Sequence, residues 1–326
     1  MSNKMKVLLT GAAGFIGAHV AQALLNRGVP VVGIDNLNAY YDPGLKRARL
    51  KALCDAPGFE LIELDIGVPD ALASAVCAHQ DVTHVVHLAA QAGVRHSMID
   101  PYAYVHTNMQ GQVAVLECAR RLPKLQHVVY ASSSSVYGRN RSLPFRESDP
   151  VDVPGSFYAV SKRAAELTSE SYAHLFGLPQ TGLRFFTVYG PWGRPDMAYY
   201  GFAHAIASGE PVTLYAGSEL ARDFTYIDDV VGAVLGVLDR PPEAGVARLL
   251  NVGNDSPCTV RHLIGLLARE LGRDALITDV PRPGSDMLRT WAAVEDIRAI
   301  SGWMPAMPFD EGIARFVAWF RAYEGL

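Results

Sequence analysis

The sequence predicts an α/β protein: a doubly wound parallel sheet with a smaller carboxy-terminal lobe. Three observations lead there. Residues 7–17 read VLLTGAAGFIG, an apolar run that enters a glycine-rich turn and then a helix. Short apolar runs then alternate with helix-like segments as far as about residue 188, the rhythm of a parallel sheet covered on both faces. Far down the chain, residues 158–162 read YAVSK, with a tyrosine and a lysine one helical turn apart.

The elements follow in order. Strands are expected at residues 7–9, 31–34, 61–64, 85–88, 128–131 and 182–186. Helices are expected at 15–26, ending near Gly28, and at 69–78, 107–120 and 156–175. After residue 188 the rhythm loosens. Proline- and glycine-marked loops occur at 191–195 and 281–284. Short strands fit 212–215 and 249–252, and helices fit 230–238, 260–271 and 309–323. The expected division is 1–188 for nucleotide binding and 189–326 mainly for substrate, with some later segments returning to the sheet. Ligands in such sheets sit at the carboxyl edge of the strands, where the lobe would close.

Composition narrows the function. With 326 residues, about half of them apolar, the chain can bury a substantial core. Its 29 basic and 33 acidic residues give a net charge of −4, so a broad basic face for nucleic acid is not indicated. Cys54, Cys77, Cys118 and Cys258 are widely spaced without a CxxC pair. Buried thiols in a reducing compartment are expected, with no structural metal and no disulfide framework. The apolar run at the amino terminus is too short for a secretion signal and reads as the first strand. No stretch of 18 apolar residues suggests a membrane span, so the cytoplasm is the expected location.

Gly11, Gly14 and Gly17 have the spacing GxxGxxG. The first allows a tight turn, the second lets backbone approach a diphosphate, and the third lets the helix pack on the strand. Phe15 and Ile16 open that helix, whose free amides and positive dipole end suit phosphate. Asp35 ends the next strand and can accept bonds from an adenosine ribose; Asn36 follows it. A carboxylate there repels a 2′-phosphate, so NAD is favoured over NADP. A Rossmann-type nucleotide site results. Asp65 and Ile66 could border the adenine, or Asp65 could cap a helix. Leu88, Ala89 and Ala90 are small enough at a strand end for a cofactor to pass, or simply to pack tightly.

Tyr158 and Lys162 share a helical face. A phenol is a poor base at neutral pH, but a nearby ammonium and an oxidised nicotinamide ring both favour phenolate. The serine run 132–135 ends a strand where a hydroxyl could bridge substrate oxygen and Tyr158. Ser133 and Ser135 share one side if the backbone stays extended. Which serine matters is open, as is a purely structural role.

These motifs resemble the extended short-chain dehydrogenase/reductases, in particular the sugar-nucleotide epimerases and dehydratases. The likeness covers TGAAGFIG at 10–17, HLAAQAGVRHS at 87–97, SSSSVYG at 132–138, YAVSK, and RDFTYIDD at 222–229. Within that family, RFFTVYGPWGRPDM at 184–197 is similar to the UDP-glucuronate 4-epimerases. The resemblance implies tightly bound NAD, a UDP-sugar substrate, and Ser133, Tyr158 and Lys162 as the catalytic trio, with Ser134 and Ser135 beside the sugar. It implies that Thr187 and Arg194 hold a hexuronate carboxylate and that Arg222 and Arg289 contact the diphosphate. Asn108 would be structural or cofactor-side, and Arg95 is a further anion candidate. A solvated Arg194, an Arg222 ion pair with Asp223 or Asp228, and a loop-fixing Arg289 are the plain alternatives. The family also implies a homodimer formed by helices 107–120 and 156–175.

The implied chemistry inverts C4 through a transient 4-keto sugar. Rivals are a neutral-sugar 4-epimerase, a UDP-glucuronate decarboxylase, and a non-catalytic NAD sensor. A 4,6-dehydratase fits poorly, because Ser134 and Ser135 stand where related dehydratases carry Asp-Glu.

Overall fold

The computed structural model describes residues 5–215, 220–281 and 287–326. Strands β1 (Val7–Thr10), β2 (Val31–Asp35), β3 (Phe59–Glu63), β4 (His84–His87), β5 (His127–Ser133) and β6 (Gln180–Phe185) form a parallel sheet. The strand Ala247–Val252 joins beside β6, giving the order β3-β2-β1-β4-β5-β6-(247–252). The order reverses direction between β1 and β4, so a crevice opens there at the carboxyl edge.

Strand periodicity explains the two cores. Val7, Leu9, Val86 and Val129 point to one face, where they meet helix α1 (Phe15–Asn26) and the helix Ile227–Leu238. Leu8, Val85 and Val128 point to the other, against α3 (Pro69–Cys77) and the helix Gly111–Ala119. Ile227–Leu238 and Ala247–Val252 lie after residue 188 in sequence but belong to this sheet and its cover.

The rest of the carboxy-terminal half forms a lobe. Helices Ala198–Ser208, Val260–Leu271 and Phe309–Glu324 pack together. Short strand pairs cross it: Val212–Tyr215 with Ile277–Val280, and Ala221–Arg222 between Cys258–Thr259 and Arg289–Thr290. The loop expected at 281–284 lies outside the described residues from 282 onward.

Two elements differ from expectation. A helix α2 (Pro43–Cys54) fills a stretch to which no element was assigned. Asp42 caps it by accepting from the Gly44 amide, and proline opens it. Its inward stripe includes Lys46 and Arg49, so it lacks the apolar periodicity that marks a helix. The helix expected from 107 begins at Pro101 and passes through a π segment, Val105–Gln110, before Gly111–Ala119. The cysteines are unpaired as expected, but only Cys118 is buried; Cys54 and Cys77 are exposed. No described helix is long and apolar enough to cross a membrane.

A buried polar network fixes the long helix Phe157–Phe176 to the sheet. Glu166 takes a two-pronged bond from Arg184 on β6, at 2.8 and 3.0 Å, and a 2.6 Å bond from the Ser132 hydroxyl on β5. Both Arg184 and Glu166 side chains are 1% exposed. Glu166→Ala strands a buried guanidinium, and should lower unfolding free energy by about 3–5 kcal/mol. Urea denaturation measures this; a loss under about 1 kcal/mol contradicts the role given to the pair.

Candidate active site

One cavity of about 1110 Å³ runs from the β1 turn to the lobe. At its nucleotide end, Gly11 has φ +77°, the left-handed region that favours glycine. A Cβ there would lie 2.7 Å from the Ala89 amide nitrogen. A Cβ on Gly17 would overlap the Gly11 carbonyl, so the third glycine is required by helix–turn packing. Gly14, Phe15, Ile16, Asn36, Ile66, Leu88, Ala89 and Ala90 all line this end.

Asp35 lines it too. Its Oδ2 accepts from the Ala13 amide at 3.0 Å and its Oδ1 from the Leu37 amide at 2.9 Å. Those bonds tie the glycine turn to the end of β2 and aim the carboxylate. Asp65 does not line the cavity: it accepts from the Gly67 amide at 2.7 Å and the Asn36 side chain at 3.0 Å, and so closes a turn. Asn108 also stands behind the wall. It bonds the Gln91 amide and carbonyl and the Ser161 hydroxyl, locking the strap after β4 to the long helix.

The chemical end is built at the start of that helix. Ser156 caps it by accepting from the Ala159 amide. Tyr158 and Lys162 then face the cavity one turn apart. Lys162 Nζ donates to the Ala131 carbonyl at 3.0 Å. Burial pushes its ammonium down to about 8, with Glu166 opposing. Burial pushes the Tyr158 phenol up; hydrogen bonding to Ser133 and the Arg194 charge pull it back. The protein's own groups therefore leave the phenol protonated at neutral pH.

The serines separate cleanly. Ser132 is committed to Glu166. Ser133 interacts with Tyr158 and lies 3.2 Å from the Ser135 hydroxyl. They meet although the strand ends at Ser133 and a tight helical turn, Ser134–Tyr137, begins. The Ser133 hydroxyl caps that turn through the Ser135 amide, so turn chemistry, not extended backbone, brings them together.

Thr187, Arg194 and Arg222 line the lobe side of the cavity. Arg194 is partly exposed but not free: its Nε and Nη2 bond Asp196 at 2.9 and 2.5 Å. Arg222 donates to the Ala221 carbonyl at 2.8 Å. Arg95 stacks over the Tyr215 ring at 5.5 Å, reaching across the cleft. Arg289 is exposed and outside the lining; its neighbours Met287 and Thr290 are inside it. Among the described residues no cluster could hold a metal ion.

Sequence reasoning missed Arg49. Its guanidinium donates to the carbonyls of Ala13, Trp192 and Gly193 and to the Tyr41 hydroxyl. One side chain thus joins the nucleotide turn to the loop that carries Arg194. Lys46 was missed as well; it bonds Asn38 beside the ribose end. Nothing in their spacing marks this use, because the carbonyls they bond carry no residue signature.

One cavity thus joins a dinucleotide-type glycine turn to Ser133, Tyr158 and Lys162. Residues 7–253 match the NAD dependent epimerase/dehydratase family, and the chain belongs to it. The cofactor is therefore NAD, and the glycine turn and Asp35 fit its diphosphate and ribose. UDP-glucuronate 4-epimerase 1 of Arabidopsis thaliana is 46% identical over 341 residues, spanning 99% of this chain and 78% of that protein. The solved UDP-glucuronic acid 4-epimerase of Bacillus cereus, in complex with UDP-glucuronic acid and NAD, superposes with a TM-score of 0.91. It is 32% identical, with 98% of this chain and 100% of that chain covered. A Thermus thermophilus UDP-glucose 4-epimerase in complex with NAD gives a TM-score of 0.85 at 32% identity, covering 97% and 99%.

The Lys162 shift has a testable sign. Between pH 8 and 10.5 the unfolded chain holds a proton that the folded chain has released. Stability therefore rises with pH across that window. Relative to Lys162→Met, cofactor-free wild type should gain on the order of 1–3 kcal/mol from pH 8 to 10.5. A difference that stays flat by denaturant titration contradicts the buried ammonium.

Proposed function

We propose that this protein interconverts UDP-glucuronate and UDP-galacturonate by inverting C4. The observation that carries this reading is one cavity lined by Ser133, Tyr158 and Lys162 and also by Thr187 and Arg194. The first three suit proton transfer at a sugar hydroxyl; the last two suit a carboxylate beside it. Relatives named as acting on UDP-glucuronate support it further.

NAD, when bound, supplies a hydride acceptor and returns the hydride, so no net redox occurs and the cofactor is retained. Tyr158 takes the proton from the sugar O4 and later gives it back. Ser133 hydrogen-bonds the same oxygen. Lys162 holds positive charge near the phenol and can bind a ribose hydroxyl. Arg222 anchors the diphosphate while the sugar presents its other face. Thr187 and Arg194 keep the C5 carboxylate out of line with the carbonyl π system, which suppresses loss of CO2 from the β-keto acid. Enclosure protects the keto sugar from escape.

The Arg194–Asp196 pair favours a second reading, a neutral-sugar 4-epimerase, because a neutralised arginine has less need of a substrate carboxylate. Elimination across C5 and C6 lacks the acid–base pair it requires at Ser134 and Ser135.

A homodimer is proposed from the outer faces of two helices. Tyr102, Val105 and Val113 are exposed along 101–119, as are Val160 and Leu167 on Phe157–Phe176. A contact between these faces would cover them.

Incubation with UDP-glucuronate and no added cofactor should yield UDP-galacturonate without CO2. Exclusive UDP-xylose overturns the epimerase reading; turnover of UDP-glucose but not of its acid overturns the substrate. Tyr158→Phe should cut turnover about 10²–10⁴-fold with NAD still bound; activity near wild type removes Tyr158 from its role. Light scattering should return twice the 35.3 kDa chain mass; a monomer excludes the dimer.

A further inference from the structure

Arg194 sits on an unusual piece of backbone. Trp192 has φ +62°, a conformation that bulky residues rarely adopt, and Gly193 follows it. Arg49 holds both carbonyls of this turn, with bonds of 2.6 and 3.0 Å to Trp192 and 3.0 Å to Gly193. The Met197 amide closes the turn by donating to the Arg194 carbonyl at 3.1 Å. The backbone at Arg194 is thus fixed by groups other than its own side chain.

The side chain is fixed separately. Asp196 takes Nε and Nη2 in a two-pronged contact, and the Tyr40 hydroxyl donates to Asp196 Oδ2 at 3.2 Å. Tyr40 in turn packs against His96, with ring centres 4.9 Å apart. Nη1 has no partner among the described residues, and Arg194 lines the cavity. An arginine fork has two usable edges, and this one has a single edge filled.

We propose that Asp196 is a positioning residue that determines specificity. Supported by Tyr40, it orients the Arg194 guanidinium so that the Nη1 edge receives the carboxylate of a uronate sugar. This deepens the uronate reading above and rests on it. The opposite possibility is that Asp196 fills the substrate's place and must be displaced. Physical cost decides between them. Displacing Asp196 would break both of its bonds to Arg194 and its bond from the Tyr40 hydroxyl, and would leave a carboxylate without its cation beside an incoming anion. Binding at the open edge carries no such cost. It also anchors the sugar's carboxylate at a fixed point, which restrains the C5–carboxylate bond from swinging into line with the C4 carbonyl π system.

The test uses NAD-loaded wild type, Asp196→Asn and Tyr40→Phe, with UDP-glucuronate and UDP-glucose as ligands. Dissociation constants come from calorimetry, and released CO2 is measured during turnover of the acid. In Asp196→Asn the preference for the acid over the neutral sugar should fall by about tenfold or more, and the share of turnovers ending in CO2 should rise. Tyr40→Phe, which leaves the charges in place, should move both readouts the same way by less. An unchanged preference in Asp196→Asn, with NAD still bound, overturns the proposal. A stronger preference also overturns it, because that is the signature of a competing carboxylate. Wild type that binds both sugars equally, or leaves UDP-glucuronate unconverted, defeats the uronate reading itself. Wild-type preference with an unaltered Asp196→Asn defeats only the role of Asp196.

Discussion

A tyrosine can act as a base near neutral pH only if positive charge is brought beside its oxygen. The architecture is arranged around that constraint. β1 delivers the glycine turn, β5 delivers Ser133, and the helix after residue 156 delivers Tyr158 and Lys162, all to one edge of the sheet. Burial works against the phenolate, and Ser133 and Arg194 offset it only in part. Lys162 is itself weakened by burial. On the proposed function, the oxidised cofactor would supply the further positive charge, and the phenol would become a base only with that cofactor bound. That makes cofactor retention part of the acid–base chemistry.

Rigidity behind the site serves the same end. Glu166, one turn beyond Lys162, is bonded to β5 and β6 at once. Arg184 continues the network to the Tyr137 hydroxyl, which donates to Asn251 on the last strand of the sheet. The long helix therefore cannot shift without disturbing three strands. On the other side, Arg49 ties the nucleotide turn to the Trp192–Gly193 backbone. One guanidinium thus connects the glycine turn to the loop that carries Arg194, although the two lie far apart in sequence.

Much of this was legible in the sequence. Continuous apolar runs gave most strands of the sheet because parallel strands are buried on both faces. The glycine spacing and YAVSK marked both ends of the cavity because each demands particular residue types. The rest was hidden for physical reasons. Helix α2 turns Lys46 and Arg49 inward between Leu45, Leu50 and Leu53, so its buried face breaks the apolar spacing that marks a helix. Arg49 acts on carbonyls, which carry no residue signature. Asp65 could be read as bordering the adenine or as capping a helix; in the structure it closes a turn, and each use needs the same side chain at a strand end. Arg194 was legible as an anion candidate, whereas its pairing with Asp196 two residues later depends on a local turn that composition does not reveal.

The most direct test of the central claim is the ionisation of Tyr158 in the two redox states of the holoenzyme. Protein labelled with ¹³C at the tyrosine ring carbon bearing the hydroxyl can be titrated by NMR with NAD⁺ and with NADH bound, and Tyr158→Phe assigns the signal. The expected result is a Tyr158 pKa lower by at least about one unit in the oxidised form, because only that form carries the ring charge. Equal values in the two states would contradict the dependence of the base on the cofactor.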